Sequence, residues 1–108
     1  MKFKKIDNQS DFKLVKEDGK KTAGRFYLAS FLPSSEKKMA VIVSKKTGNA
    51  VVRNYEKRIV RIFLREYWDL LPDGLFVLIR IPKRTGVFLE KKNDVWHLIK
   101  RTKESLLK

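Results

Sequence analysis

From Ser44 to Arg65 a short polar turn runs into one long amphipathic segment, and no other stretch of the chain constrains its fold and partner so strongly. Asn49 is placed to cap the helix, because its side-chain oxygen can accept from an otherwise orphaned amide of the first turn. Winding the segment at ~100° per residue gathers Arg53, Asn54, Lys57, Arg58, Arg61 and Arg65 within roughly 140°. Val52, Tyr55, Ile59, Ile62, Phe63 and Leu70 fall on the opposite arc, which is the expected core face. Glu56 is the misfit beside it. Arg53, Lys57, Arg61 and Arg65 are successive i,i+4 neighbours of like charge, a spacing that costs an isolated helix stability. A merely solvated face mixes signs; a cationic ridge without carboxylates suits a polyanion.

Composition strengthens that expectation. Lys and Arg number 26 against 12 Asp and Glu, a formal net charge of +14. The natural complements are nucleic acid and an anionic membrane. No apolar run approaches the ~18 residues of a spanning segment, and no N-terminal apolar stretch follows the opening lysines, so no membrane partner is expected. The chain has no Cys, which removes disulfides and thiolate metal sites and fits a reducing cytoplasm. At 108 residues, one nucleic-acid-binding domain over 1–108 is expected, with 1–6 as a flexible basic arm.

In chain order, Asn8 or Ser10 caps a short helix that ends at Gly19, with Phe12 and Val15 on one side. Residues 20–24 read as a polar turn. Residues 25–32 alternate as a strand, with Phe26 and Leu28 on one face and Tyr27, Ala29 and Phe31 on the other. After the loop around Pro33, residues 39–45 form a second strand. The long helix stops near Leu71, before Pro72-Asp73-Gly74. Residues 75–81 are nearly all apolar, as for a strand covered on both faces. A basic loop follows over 83–86. From Val87 the apolar spacing is helical, with Asn93-Asp94 as a possible second start, so one broken helix and two short ones both remain open. The order α-β-β-α-β-α predicts a single-domain α+β sandwich in which the basic helix crosses between the second and third strands.

Catalytic groups are sparse. His97 is the only histidine, and Leu98 and Ile99 beside it favour a packing or edge role. Glu17-Asp18 and Asp69 with Asp73 stand where capping or solvation explains them more cheaply than acid–base chemistry. No phosphate-binding glycine loop occurs. Neither a catalytic residue nor a metal ligand is assigned to the protein itself.

The run Lys45, Lys46, Gly48, Asn49, Ala50, Val51, Arg53, Asn54, Lys57, Arg58 and Arg61 resembles the signature of the bacterial ribonuclease P protein subunit. The resemblance extends over the chain in length and element order. Tyr55 departs from it where the Arg-Asn-Arg core usually ends, and Glu56 where an aliphatic residue is usual. The resemblance implies an α+β fold with an unusual, left-handed βαβ crossover through the basic helix. It also implies an RNA-based endoribonuclease: a catalytic RNA holds Mg2+ and removes the 5′ leader from precursor tRNA, while the protein supplies charge neutralisation and positioning. The RNA-binding residues then correspond to Lys45, Lys46, Arg53, Asn54, Lys57, Arg58, Arg61 and Arg65. A leader-binding cleft between the first helix and the sheet corresponds to Phe12, Tyr27, Phe31 and Ser44, with Lys16 where a second aromatic is usual. For Phe12, Tyr27 and Phe31 ordinary core packing is the competing reading. For the whole chain, a ribosomal or other structural RNA-binding protein is the alternative.

Overall fold

The computed structural model describes residues 4–106. Five strands form one sheet in the order β1-β4-β5-β3-β2: β1 (Lys4–Lys5), β2 (Lys20–Ala23), β3 (Tyr27–Pro33), β4 (Lys38–Ile42) and β5 (Gly74–Arg80). The helices are α1 (Gln9–Asp18), α2 (Ala50–Tyr67) and α3 (Phe88–Leu106). The α+β sandwich expected from the sequence is therefore the one formed, with two edge strands added.

β5 is central because its run of apolar residues can be covered on both sides. It pairs antiparallel with β3, placing Tyr27 opposite Arg80, and parallel with β4, placing Met39 opposite Phe76. α2 makes the crossover between the adjacent parallel strands β4 and β5. One face of the sheet carries Tyr27, Ala29, Phe31, Met39, Phe76 and Leu78 against Ile59, Val60, Phe63 and Leu64 of α2 and Val95, Leu98 and Ile99 of α3. The other carries Ala40, Leu75 and Val77 against Val15 of α1 and Ile6. Fully burying one such Leu, Ile or Phe contributes about 1.5–3 kcal/mol, so the larger α2/α3 layer dominates the fold.

Several sequence expectations are corrected by this packing. Residues 20–23 are a strand, not a turn; β2 reads as polar because it is an edge strand, where exposed lysines also discourage pairing with another chain. Of the expected flexible arm, Lys4 and Lys5 pair with β4, and the Ile6 amide donates to the Met39 carbonyl at 2.8 Å. Residues 1–3 of that arm lie outside the described residues. α3 is continuous through Asn93-Asp94. Asp94 does not start a helix: its carboxylate reaches across and accepts the amides of Arg25 and Phe26 at 2.8 Å and of Tyr27 at 3.2 Å. Gly24 belongs to this clamp, since a Cβ there would lie 2.7 Å from the Asp94 oxygens.

Candidate nucleic-acid interface

α2 begins as its sequence predicts. After the 3-10 turn Lys45–Thr47, Asn49 accepts the Val52 amide at 3.0 Å and caps the helix. The buried arc is rotated from the expected one: Glu56, Ile59, Val60, Phe63 and Leu64 face inward, while Val52, Tyr55, Ile62 and Leu70 stay substantially exposed. The cause is the second packing partner. α3 lies on the same side of the sheet as α2, and between them the sheet and α3 draw in the arc centred near Val60.

On the opposite arc the ridge survives intact. Asn54, Arg58 and Arg65 are exposed, Arg53, Lys57 and Arg61 partly so, and Lys45 and Lys46 stand exposed in the turn before the cap. Among the described residues, Lys45, Lys46, Arg53, Lys57, Arg58 and Arg61 make no ion pair. The two acids of the helix are both engaged elsewhere, Glu66 with Lys92 at 2.8 Å and Glu56 in the interior. One helix therefore presents a row of uncompensated cations.

Glu56 explains how the helix is held. Its carboxylate accepts from Arg80 Nε at 3.1 Å and from Lys91 Nζ at 2.9 Å, joining α2 to β5 and α3. Burial alone would push its pKa up, but the hydrogen bonds from Arg80 and Lys91 outweigh that and hold it below the usual carboxylate range. Arg80 also donates to the carbonyls of Phe26, Ile81 and Arg84, which fastens the basic loop after β5. Sequence reasoning passed over Arg80 and Lys91. The available signal was a pair of misfits, an acid on an apolar helix face and an arginine in an apolar strand, that satisfy each other.

A cleft of about 570 Å³ lies between α1 and the sheet. Phe12, Val15, Ile42, Val77 and Ile79 make its apolar floor and wall, Ser30 adds a hydroxyl, and Lys13, Lys16 and Lys21 line it with charge. Of the four residues expected there, Phe12 alone lines it. Tyr27 and Phe31 are buried on the opposite face of the sheet, beneath α2 and α3, so neither ring can line this cleft. Within β3 the alternation of Tyr27, Ala29 and Phe31 against Leu28 holds, but the face is inverted, because those three stand in register with Arg80, Leu78 and Phe76 on the α2/α3 side. Phe26, expected beside Leu28, precedes the strand and is buried in the α2/α3 layer instead. Burial, then the nearby Glu56 charge, raises the Tyr27 phenol well above its ordinary pKa. Ser44 is exposed at the start of the 3-10 turn and is not part of the cleft lining. The ridge and the cleft are neighbours: Phe12 and Arg61 share a smaller hollow with Lys5, Ile6 and Met39.

Comparison with known proteins places this geometry. The family model described as ribonuclease P matches residues 1–103. The ribonuclease P protein component of Staphylococcus carnosus is 33% identical over 103 residues, covering 92% of this chain and 90% of that protein. That of Bacillus cereus strain AH187 is 36% identical, covering 91% and 90%. The structure of the Staphylococcus aureus RNase P protein superposes with a TM-score of 0.85 at 25% identity, covering 94% of this chain and 97% of that one. The Thermotoga maritima RNase P protein has the same fold, with a TM-score of 0.81.

Proposed function

The chain belongs to the ribonuclease P protein family, and from that premise we propose that it binds the ribonuclease P catalytic RNA through the α2 ridge and the precursor-tRNA leader through the cleft beside α1. The observation that carries the proposal is the row of unpaired cations on α2, which adjoins that cleft at Phe12 and Arg61. Two RNAs must come together for the leader to be cut, and each phosphate brought near another costs repulsion. Lys45, Lys46, Arg53, Lys57, Arg58 and Arg61 lower that cost by replacing condensed counterions. Asn54 adds a neutral donor and acceptor within the row. The cleft suits an unpaired strand, with an apolar floor for bases and Lys13, Lys16 and Lys21 for phosphates. The protein then raises the local concentration of substrate at the RNA's reactive centre and fixes its register.

Mg2+ enters this proposal as an ion held by the RNA, where it would supply an activated water for phosphodiester hydrolysis. Among the described residues no three His, Asp or Glu side chains are grouped to hold a cation. No helix among them is long and apolar enough to cross a membrane.

Cleavage of precursor tRNA tests the reading, with RNA alone, protein alone and both, across a Mg2+ series. Protein with its cognate RNA should remove the leader at Mg2+ levels too low for the RNA by itself, and protein alone should not cut. Sustained Mg2+-dependent cleavage by RNA-free protein would overturn it, as would equal Mg2+ requirements with and without protein.

A further inference from the structure

On the flank of α2 that faces α3, Tyr55 stands 46% exposed, a large aromatic ring at the edge of the cationic ridge. It is fixed from behind. Lys91 Nζ lies 6.0 Å from the ring centroid and is itself held by Glu56 at 2.9 Å, so a buried cation braces the inner side of the ring. Arg58, one turn along the helix, is exposed beside it. The loop bearing exposed Lys83 and Arg84 is tied to the same cluster, because the Arg84 carbonyl accepts from Arg80 at 2.6 Å while Arg80 Nε bonds Glu56.

We propose that Tyr55 is a stacking platform for an unpaired base of the bound RNA, with Arg58, Lys83 and Arg84 taking the adjoining phosphates. The inference rests on the RNA-binding reading of the ridge and extends it around the helix toward α3. Three observations carry it. A tyrosine has few side-chain rotations to lose, and this one is already braced on one side. Its neighbours on the helix, Val51 and Val52, are exposed and apolar, so water is readily displaced from around the ring. A base gains from the ring's open side, while the flanking cations demand an anion; a single RNA strand supplies both, every base having a face to stack. A protein partner would have to be strongly acidic at this spot to be accepted by a chain of net charge +14.

The test measures binding of the full-length protein to the full-length ribonuclease P RNA of the same genome over a series of KCl concentrations. Tyr55→Leu keeps apolar bulk but offers no ring, and should weaken binding about fivefold or more, the low end for a base–aromatic stack. The loss should be the same at every salt concentration, because no counterion is released by stacking. Tyr55→Phe and Tyr55→Trp should bind within about twofold of the unaltered protein. Arg61→Ala, measured alongside, should instead lower the salt slope by ~1. Binding by Tyr55→Leu within about twofold of the parent would overturn the inference. So would a loss shared equally by Tyr55→Phe, or a loss that tracks a lowered melting temperature and is not restored by Tyr55→Trp. If Arg61→Ala shifts the slope while Tyr55→Leu binds normally, the platform fails and the ridge stands. If neither variant changes binding, the reading of the ridge fails as well.

Discussion

Replacing Glu56 by Gln should destabilise the fold by about 3 kcal/mol, at the lower end of the ~3–5 kcal/mol seen when one partner of a buried ion pair is removed. Glu56 is 5% exposed and Arg80 and Lys91 are 4% and 7%, so water cannot replace a lost partner. Two charge-assisted hydrogen bonds, at 3.1 and 2.9 Å, converge on the carboxylate, each worth roughly 1.5–3 kcal/mol. The lower end applies because Arg80 keeps the carbonyls of Phe26, Ile81 and Arg84. Lys91 has no comparable reserve and bears most of the loss. Urea unfolding followed by circular dichroism at neutral pH measures the difference. Adding Lys91→Met to Glu56→Gln should restore part of it, since the cation stranded by the first change is then gone. The pH dependence has a definite sign. The native Glu56 pKa lies below its unfolded value, so its contribution is present above about pH 4.5 and is lost as pH falls through the native pKa. The gap between the parent and Glu56→Gln should therefore narrow in acid. A gap below about 1 kcal/mol at neutral pH, or one that does not change on acidification, would refute the reasoning.

Two further changes probe the packing that positions the site. The Tyr27 hydroxyl is buried without a hydrogen-bond partner among the described residues, so Tyr27→Phe should leave stability unchanged or raise it by up to about 1 kcal/mol in the same unfolding assay. Tyr27→Ala should cost about 3–5 kcal/mol, and a Tyr27→Phe variant that lost precursor affinity at unchanged stability would contradict the burial. Asp94→Asn should cost at least roughly 1.5 kcal/mol and speed amide exchange at Arg25, Phe26 and Tyr27, whose N–H groups it accepts; exchange there at the parent rate would show that the clamp is dispensable.

Much of the architecture is legible in local signals. Asn8 and Asn49 cap helices as their positions suggest, the second strand and the apolar third strand lie near where composition puts them, and Pro72-Asp73 stands between α2 and β5, which begins at Gly74. The cationic ridge is legible too, because repeated like charge at i,i+4 has no local benefit. What is hidden depends on partners distant in the chain. Period-two alternation separates Tyr27 from Leu28, yet which of them meets a helix is decided by pairing with β5 and by where α1 packs. Leu28 is consequently exposed and Tyr27 enclosed, the reverse of expectation. The helical period of α2 likewise leaves open which edge of its apolar arc is covered until α3 is placed. β2 escapes notice because an edge strand needs neither apolar alternation nor branched residues to pair on one side. Of the cleft's charged lining, Lys16 is expected one turn after Phe12 from the family resemblance, whereas no sequence spacing announces Lys13 of α1 or Lys21 of β2.

The central claim is that α2 meets RNA through an uncompensated cationic face. Its most direct test is the slope of log binding constant against log salt for the catalytic RNA, measured for the parent protein and for Arg61→Ala. Arg61 lies on the ridge, away from the buried arc of Ile59, Val60 and Phe63. Its loss should reduce the magnitude of the slope by ~1, one phosphate contact, and change stability by no more than about 0.5 kcal/mol. An unchanged slope accompanied by a large fall in melting temperature would show that Arg61 supports the fold and that the ridge is not the RNA contact.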